Sequence, residues 1–303
     1  MGRNRCHNFL GYDMNLNPNT NIEKLLPVDE INKEHYEAFI EEGKRKLKDK
    51  TVVFSMLCRN SGSVLNKNIN ILINLVKDYV KDYRFVVFEN DSTDNTKQIL
   101  RNLSASNDKF YYKSEDNNRP QYGPTKHKER TEALAEYRNR SLEYIKENYS
   151  DFDHVIVCDS DFIDISKNGF YNSFGMLYNS EIDAICGNSF QLMNIEGRSK
   201  LWNYDSWAYR GTWWYDWCYF QNKYAIDNPM LWFGYWIPPV GINPIIVNSA
   251  FGGLAIYKTK DYIEGTYSGL DCEHVTFHLS LRKKNPYFRL ALNPSQVMLM
   301  PGP

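Results

Sequence analysis

Short apolar runs, rich in β-branched and aromatic residues, recur along the chain from residue 51 onwards. Their length and composition are typical of strands that are buried on both faces of a sheet. We therefore predict strands over residues 51–58, 85–90, 109–114, 154–162 and 182–188.

Between these runs, apolar residues recur at three- and four-residue spacing, as they do on one face of an α-helix. The spacing predicts helices over residues 66–83 and 129–149, and another that opens in the polar turn DSTDNT. A charged helix is predicted over 29–48, and a last one from 271–273 to Lys284. The alternation of strands and helices predicts an α/β fold with a mainly parallel central sheet flanked by helices.

Polar and charged residues follow three of the predicted strands directly. The three ends are Cys58-Arg59-Asn60, Glu89-Asn90-Asp91 and Asp159-Ser160-Asp161. In open parallel sheets, ligands bind in the crevice at the carboxyl ends of the strands. The pattern therefore predicts a binding site where these three ends meet.

Composition narrows the class of protein. The chain has 303 residues, of which 42% are hydrophobic, and a formal net charge of −1. This length and apolar fraction exclude a disordered chain and suffice for a core. The balanced charge argues against nucleic acid as a partner, because a basic surface is needed to hold phosphates.

The N-terminal segment has no apolar stretch of the kind found in signal peptides, and no run approaches the ~18 apolar residues of a membrane span. We therefore expect a soluble, cytoplasmic protein without a membrane span. The Asn-, Lys- and Tyr-rich composition is typical of AT-rich viral or protist genomes.

Two carboxylates two residues apart, Asp159 and Asp161, stand where a buried strand breaks into a turn. Such a pair can present oxygen ligands to Mg²⁺ or Mn²⁺, which often bridges to substrate phosphates. The alternative is a capped turn with exposed acids. At the preceding strand end, Glu89 and Asp91 suit a ribose or a nucleobase, although helix capping explains some of the acids there.

Two further segments carry charged residues that are candidates for ligand binding or catalysis. The planar guanidinium of Arg138 can form two parallel hydrogen bonds to phosphate or carboxylate oxygens. The alternative is that Arg138 lies on a solvated helix face. The segment that begins at Asp271 predicts a helix N-terminus aimed at a ligand. There Glu273 is a candidate general base and His274 a candidate metal ligand, whereas simple capping with a buried histidine is the alternative.

All seven tryptophans lie between Trp202 and Trp236. Aromatic rings interleaved with Asp, Asn and Arg suit the faces and hydroxyls of sugars, although a satellite hydrophobic core is the more common explanation. Asp205 and Arg210 are better candidates for binding because core packing does not need them. The paired glycines Gly252 and Gly253 permit close approach to a ligand, or mark a β-bulge.

Taken in order, these segments resemble the GT-A fold glycosyltransferases over about residues 51–295. The segments that carry the resemblance are TVVFSMLCRN, FENDSTDNT, VIVCDSDF, NSAFGGLAIYK and CEHVTFHLSLRKK. Within that group, ENDSTDNT, AEYRNRSL, CDSDF and YDSWAYR are similar to the fungal capsule-associated mannosyltransferase family. The chain departs from that family in its CEHVTFH segment and in its short N-terminus.

The resemblance implies a GT-A, Rossmann-like fold and transfer of a sugar, such as mannose, from a GDP- or UDP-linked donor to a hydroxyl of a glycan or glycoconjugate. It implies Mn²⁺ or Mg²⁺ bound by Asp159, Asp161 and His274, with His278 as the substitute for His274. Retention of anomeric configuration is slightly favoured over inversion.

The resemblance also implies a role for each candidate residue. Donor contacts fall to Arg59, Glu89, Asp91, Arg138, Asp159 and Ser160. Contacts to the sugar or acceptor fall to Asp205, Arg210, Trp207, Gly252 and Gly253. Glu273 or Asp271 would be the base in an inverting reaction.

For the domain organisation, we expect an N-terminal arm and helix over residues 1–50 and one glycosyltransferase domain over 51–303. Its nucleotide-sugar-binding half would span 51–188 and its aromatic-rich acceptor half 189–303. Two other functions fit parts of the pattern. One is a nucleotidyltransferase that forms nucleotide-sugars, although CRNSGSVLN lacks the glycine-rich basic loop. The other is a non-catalytic carbohydrate-binding relic of a transferase.

Overall fold

The computed structural model describes residues 21–122, 127–195, 198–212 and 233–302. Within these ranges eleven strands form one sheet. The strands are β1 Thr51–Cys58, β2 Asp82–Asn90, β3 Phe110–Glu115, β4 His154–Asp159, β5 Asp164–Ile165, β6 Ala184–Ile195, β7 Arg198–Asn203, β8 Arg210–Gly211, β9 Ile245–Ser249, β10 Leu254–Lys258 and β11 Leu290–Leu299. The predicted N-terminal arm, residues 1–20, lies outside the described residues.

Helices connect and cover these strands. In the described ranges they are α1 Ile22–Leu25, α2 Glu30–Leu47, α3 Leu65–Val76, α4 Thr96–Ser106, α5 Lys128–Asn148, α6 Lys167–Asn179, α7 Thr259–Tyr262 and α8 Glu273–Lys284. None of these helices is long and apolar enough to cross a lipid bilayer.

The strands lie in the order β3-β2-β1-β4-β10-β6-β11-β9-β8, with β5 beside β11 and β7 beside β6. The first four strands of this order are parallel to one another, and β6 is parallel to β11. Between these two groups, β10 runs antiparallel to both β4 and β6. The predicted sheet, mainly parallel in its core, is confirmed.

Side chains of the central strands alternate between two apolar layers. In β1, Phe54 packs into the layer that contains α3 and α6, whereas Val53 faces the layer that contains α5 and α8. Both residues have no exposed surface. Burial on both faces explains why this strand is a continuous apolar run instead of an alternating one.

Most predicted elements are confirmed within a few residues, and two differ for identifiable reasons. The helix predicted over 66–83 ends at Val76, because the next strand already begins at Asp82. Tyr79 and Val80 continue the helical spacing by packing against the same apolar layer from the turn that follows. Helix α6 was not predicted, because its residues 169–177 are buried on every side and show no polar face.

Helix α2 lies directly against α6, and two glycines make this approach possible. A Cβ on Gly43 would lie 1.8 Å from the carbonyl oxygen of Tyr171, and one on Gly175 would lie 2.0 Å from that of Phe39. The two backbones are therefore in contact, with no room for a methyl group between them.

Because of this contact, a substitution of Gly43 can be tested by whether it raises or lowers the free energy of unfolding. Alanine is favoured over glycine in a helix by about 1 kcal/mol, so Gly43→Ala would normally stabilise the protein. We expect it instead to lower the free energy of unfolding by about 1–3 kcal/mol, because overpacking forces the helices apart. Urea denaturation measures the change, with Glu37→Ala on the exposed face of α2 as the control. An increase in stability for Gly43→Ala would contradict the packing.

Candidate active site

A cleft of about 310 Å³ opens at the carboxyl ends of the parallel strands. The register pairs Cys58 of β1 with Glu89 of β2, and Leu57 of β1 with Asp159 of β4. The last residues of the three strands therefore lie side by side at one edge of the sheet. The three polar strand ends meet there, as the sequence predicted.

Nine of the predicted site residues line this cleft, although they come from segments far apart in the chain. They are Arg59, Arg138, Asp159, Ser160, Asp161, Asp205, Trp207, Glu273 and His274. Six others lie behind its walls or beside it, and they are Glu89, Asp91, Arg210, Gly252, Gly253 and Asp271.

The carboxylates of Asp159 and Asp161 lie where β4 leaves the sheet. The side chain of Asp159 is 23% exposed, and burial raises its pKa to about 8. Arg138 opposes this rise, whereas the charges of neighbouring carboxylates add to it. Desolvation also raises the pKa of Asp161, against the nearby charge of Arg130. Because burial is the main cause of both shifts, a cation bound beside these carboxyl groups would favour their charged forms.

Arg138 connects two of these acids. It projects from α5 and is buried, so the solvated-face interpretation is wrong. Its Nε donates a hydrogen bond to Glu273 Oε1 at 3.1 Å, and its Nη2 lies 3.7 Å from Asp159 Oδ1. The guanidinium also lies over the ring of Phe251, with Cζ 5.2 Å from the centroid.

His274 lines the cleft as a buried, neutral imidazole. Its ring stacks on Phe251 with centroids 3.8 Å apart. Burial, and then the charge of Arg138, hold the pKa of His274 well below its usual value. Neither ring nitrogen has a hydrogen-bond partner among the described residues, although Nε2 lies 3.6 Å from Glu273 Oε1. The neutral ring has one donor and one acceptor nitrogen for a ligand.

His278 does not fit its predicted role as the substitute metal ligand. Its Nδ1 lies 2.9 Å from Ser249 Oγ, and its Nε2 lies 2.8 Å from the hydroxyl oxygen of Tyr257. Both nitrogens are thus engaged, and the side chain has no exposed surface. His278 is a hydrogen-bonded core residue.

No three His, Cys, Asp or Glu side chains in the described ranges come close enough together to form a complete metal site. The predicted set of Asp159, Asp161 and His274 is therefore not assembled in advance. The donors nevertheless fit a divalent cation, because one cleft holds two carboxylates and an imidazole whose nitrogens have no hydrogen-bond partner among the described residues. Mg²⁺ in particular is commonly held by one or two carboxylates, with waters and substrate phosphates completing its shell.

Gly252 and Gly253 do not line the cleft, and their backbone connects two of its acids. Their φ angles are 62° and 72°, in the left-handed region that glycine adopts without strain. The N–H of Gly252 donates to Asp205 Oδ2 at 2.9 Å, and the carbonyl of Gly253 accepts from the N–H of Asp159 at 2.8 Å. Burial raises the pKa of Asp205 to about 7, which the bond from Gly252 opposes.

Arg210 and Asp271 form a buried ion pair beneath the cleft. Nη2 of Arg210 lies 3.2 Å from Oδ1 and 3.1 Å from Oδ2 of Asp271, and each side chain is only 3% exposed. The predicted sugar contact of Arg210 and the predicted base role of Asp271 both conflict with this burial. The pair instead ties β8 to the start of α8.

Glu89 and Asp91 stabilise the loops around the cleft. Glu89 is buried and accepts hydrogen bonds from the N–H of Ser92 at 2.7 Å and from the hydroxyl of Ser114. Asp91 accepts bonds from three successive N–H groups, those of residues 117–119. Although burial alone would raise the pKa of Asp91, its hydrogen bonds hold it below the usual value.

The sequence did not single out several cleft residues on α5. Arg130, Ala133, Leu134 and Tyr137 line the cleft together with Arg138. The other four residues follow Arg130 by three, four, seven and eight positions, which is the spacing of a single helix face. That spacing could have identified Arg130 from the sequence. Arg119, which also lines the cleft, lies in the polar loop that follows β3.

The aromatic segment is described only in part. Trp207 lines the cleft, while Tyr209 stacks on Phe233 with centroids 4.0 Å apart and packs near Trp236. In the described portion, Tyr209, Phe233 and Trp236 form a satellite cluster, whereas Tyr204 and Trp207 line the cleft. The tryptophans in 213–232 lie outside the described residues.

Comparison with solved structures identifies the fold. The chain matches a structure of GalNAc-T7 with UDP, GalNAc and Mn²⁺ at a TM-score of 0.53 and 13% identity, covering 84% of this chain and 43% of that one. It also matches a mannosyltransferase from Pyrobaculum calidifontis in complex with GDP-Man and Mn²⁺ at a TM-score of 0.46 and 13% identity, covering 89% and 65%. The match to GalNAc-T7 identifies the fold as that of a GT-A glycosyltransferase. The chain spans only part of the length of these two proteins.

A comparison with curated protein sequences finds no match. The sequence profile of the family described as Cryptococcal mannosyltransferase 1, however, matches residues 51–291. This range contains every residue that lines the cleft and most of the described sheet. The chain therefore belongs to the Cryptococcal mannosyltransferase 1 family of glycosyltransferases.

Proposed function

We propose that this protein transfers a sugar, with mannose as the first candidate, from a nucleotide-sugar to a hydroxyl group of a glycan or glycoconjugate. The family assignment supports the sugar and the reaction class. The observation that carries the proposal is the meeting of Asp159, Asp161, Asp205 and Glu273 with Arg130 and Arg138 in one cleft. Acids that attract a cation, next to arginines that match phosphate oxygens, suit a sugar diphosphate.

The donor would lie along the edge of the sheet. Asp159 and Asp161 would hold Mn²⁺ or Mg²⁺, with His274 as a nitrogen donor beside them. A bound cation supplies Lewis-acid stabilisation of the charge that grows on the departing diphosphate. Arg130 and Arg138 would bind phosphate oxygens. The half over residues 51–188 would thus hold most of the donor, and the half over 189–303 the acceptor.

The transferred sugar would lie beside Trp207 and Asp205. The indole face suits the C–H face of a sugar ring, and the carboxylate can accept hydrogen bonds from sugar hydroxyls. Trp207 is half-buried and lines the cleft, which leaves part of the ring accessible.

We propose retention of configuration at the anomeric carbon, because neither acid near α8 is a free base. Glu273 accepts a hydrogen bond from Arg138 at 3.1 Å, and Asp271 is paired with Arg210. A carboxylate that accepts hydrogen bonds from an arginine is less available to receive the proton of an acceptor hydroxyl. The bond from C1 to the diphosphate would break and a bond to the acceptor oxygen would form on the same face. The hydroxyl proton would pass to the departing phosphate oxygen.

The metal assignment can be tested at Asp161. We expect Asp161→Asn to lower metal-dependent release of GDP from GDP-mannose by at least about a hundredfold, because charge stabilisation at the diphosphate is lost. The rise in melting temperature with Mn²⁺ and donor should disappear as well. Asp151→Asn, at the exposed start of the β4 segment, is the matched control. Full metal-dependent turnover in Asp161→Asn would refute the assignment, and EDTA-insensitive sugar binding without turnover would favour a binding relic.

Retention can be tested at Glu273. Loss of a general base typically costs about 10²–10⁴-fold in rate, so we expect Glu273→Gln to cost only about tenfold, through weaker placement of Arg138. Proton NMR of the fresh product should show the anomeric configuration of the donor. An inverted product, together with a loss of a thousandfold or more, would make Glu273 the base.

The buried pair can be tested separately through stability. We expect Asp271→Ala to lower the free energy of unfolding by about 3–5 kcal/mol, because it leaves Arg210 buried without its carboxylate partner. Thermal and urea denaturation measure the loss, with Asp261→Ala as a control at a half-buried acid outside the cleft. If Asp271→Ala kept wild-type stability while activity vanished, Asp271 would be a catalytic residue instead.

A further inference from the structure

The loop over residues 117–121 is held over the carboxyl ends of β1 and β2 from two sides. Asp91 accepts hydrogen bonds from the N–H groups of residues 117, 118 and 119 at 2.6, 2.7 and 3.4 Å. On the other side, Arg59 donates to the carbonyl of Arg119 at 2.7 Å and to that of Pro120 at 3.0 Å. Asp91 and Arg59, the side chains expected to contact the nucleoside, are thus hydrogen-bonded to the backbone of this loop.

The held loop brings Arg119 into the cleft wall. Its guanidinium lies over the ring of Tyr137, with Cζ 5.1 Å from the centroid, and its Nη2 donates to Glu136. The other terminal nitrogen, Nη1, is a buried atom with no hydrogen-bond partner among the described residues. A buried donor without a partner is costly, so this atom is suited to a ligand.

The position of Arg119 separates it from the phosphate end of the cleft. Asp159 ends β4, whereas the loop follows β3, and β1 and β2 lie between these two strands. Neighbouring strands are about 4.8 Å apart, so the loop lies towards the nucleoside end of a donor whose diphosphate sits at Asp159. Arg119 is also neutralised by Glu136, which suits a hydrogen-bond donor better than a counter-charge for phosphate.

We propose that Arg119 determines which nucleobase the protein accepts, by donating from Nη1 to an exocyclic carbonyl oxygen of the base. Guanine and uracil carry such an oxygen and adenine does not. Asp91 and Arg59 are the positioning residues of this contact. The inference rests on the proposed function, because it requires a nucleotide donor in the cleft.

The test compares dissociation constants for GDP, UDP, ADP and inorganic pyrophosphate, each with Mn²⁺, by calorimetry. We expect GDP or UDP to bind more tightly than ADP to the wild-type protein. A hydrogen bond from a charged donor is worth about a tenfold to hundredfold change in affinity. Arg119→Met should therefore weaken the preferred nucleotide by about that factor, remove most of the preference over ADP, and leave pyrophosphate binding within about twofold.

Arg140 provides a matched control. It pairs with the same Glu136 at 2.8 Å and lies over the same Tyr137 ring, with Cζ 5.8 Å from the centroid, but it does not line the cleft. We expect Arg140→Met to leave all four dissociation constants unchanged. An equal loss of nucleotide affinity in Arg140→Met would mean that the ion-pair network, and not a contact to the base, carries the effect.

The positioning role of Asp91 has its own test. Asp91→Ala should raise the KM for the donor with little change in kcat, and weaken GDP or UDP but not pyrophosphate. Asp91→Asn, which keeps one acceptor oxygen, should restore part of the affinity. Loss of kcat alone, or equal losses for nucleotide and pyrophosphate, would overturn this role.

The outcomes also separate this inference from the proposed function. If the wild-type protein binds a nucleoside diphosphate and Arg119→Met keeps its base preference, only the inference is refuted. If Arg119→Met weakens pyrophosphate as much as the nucleotide, Arg119 is a phosphate contact and the inference is wrong. If the wild-type protein binds no nucleoside diphosphate, the proposed function falls as well.

Discussion

The buried guanidinium of Arg138 is the interaction on which the cleft depends. It lies between the carboxylates of Glu273 and Asp159, which are carried by a helix and a strand more than a hundred residues apart. Without a cation there, these acids would repel one another in a desolvated space. Arg130 places a second positive charge near Asp161 in the same cleft. Burial raises the pKa of Asp159 and of Asp161, and a bound cation would favour the charged form of both.

Behind this first set of charges lies a second set that supports it. The Arg210–Asp271 pair anchors the start of α8, and the Gly252–Gly253 turn joins the backbone of Asp159 to the side chain of Asp205. Such supporting contacts keep charged groups in fixed positions before a substrate arrives, which reduces the reorganisation needed in the reaction. They also explain why several acids and glycines near the cleft never reach its surface.

The sequence predicted strands β1 to β4 and the first part of β6, because each is a short apolar run with a clear boundary. Strands β1, β2 and β4 begin or end within three residues of their predicted limits. Helix α6 was not predicted, because it lies between α2 and the sheet. A helix that is buried on all sides lacks the polar face that gives an amphipathic helix its periodic pattern. The end of α3 was misplaced for a related reason, since Tyr79 and Val80 pack on the core although the helix has already ended.

The sequence by itself determined the fold class, the edge of the sheet that carries the site and most of the charged residues that line the cleft, because apolar runs and polar strand ends are local features. Only the tertiary structure decided which acids face the cleft. Asp271 and Glu273 are two residues apart, yet one is paired with Arg210 beneath the cleft and the other meets Arg138 within it. That difference depends on partners from distant segments. A side chain's role follows from the charges that surround it in space, and the order of residues does not reveal them.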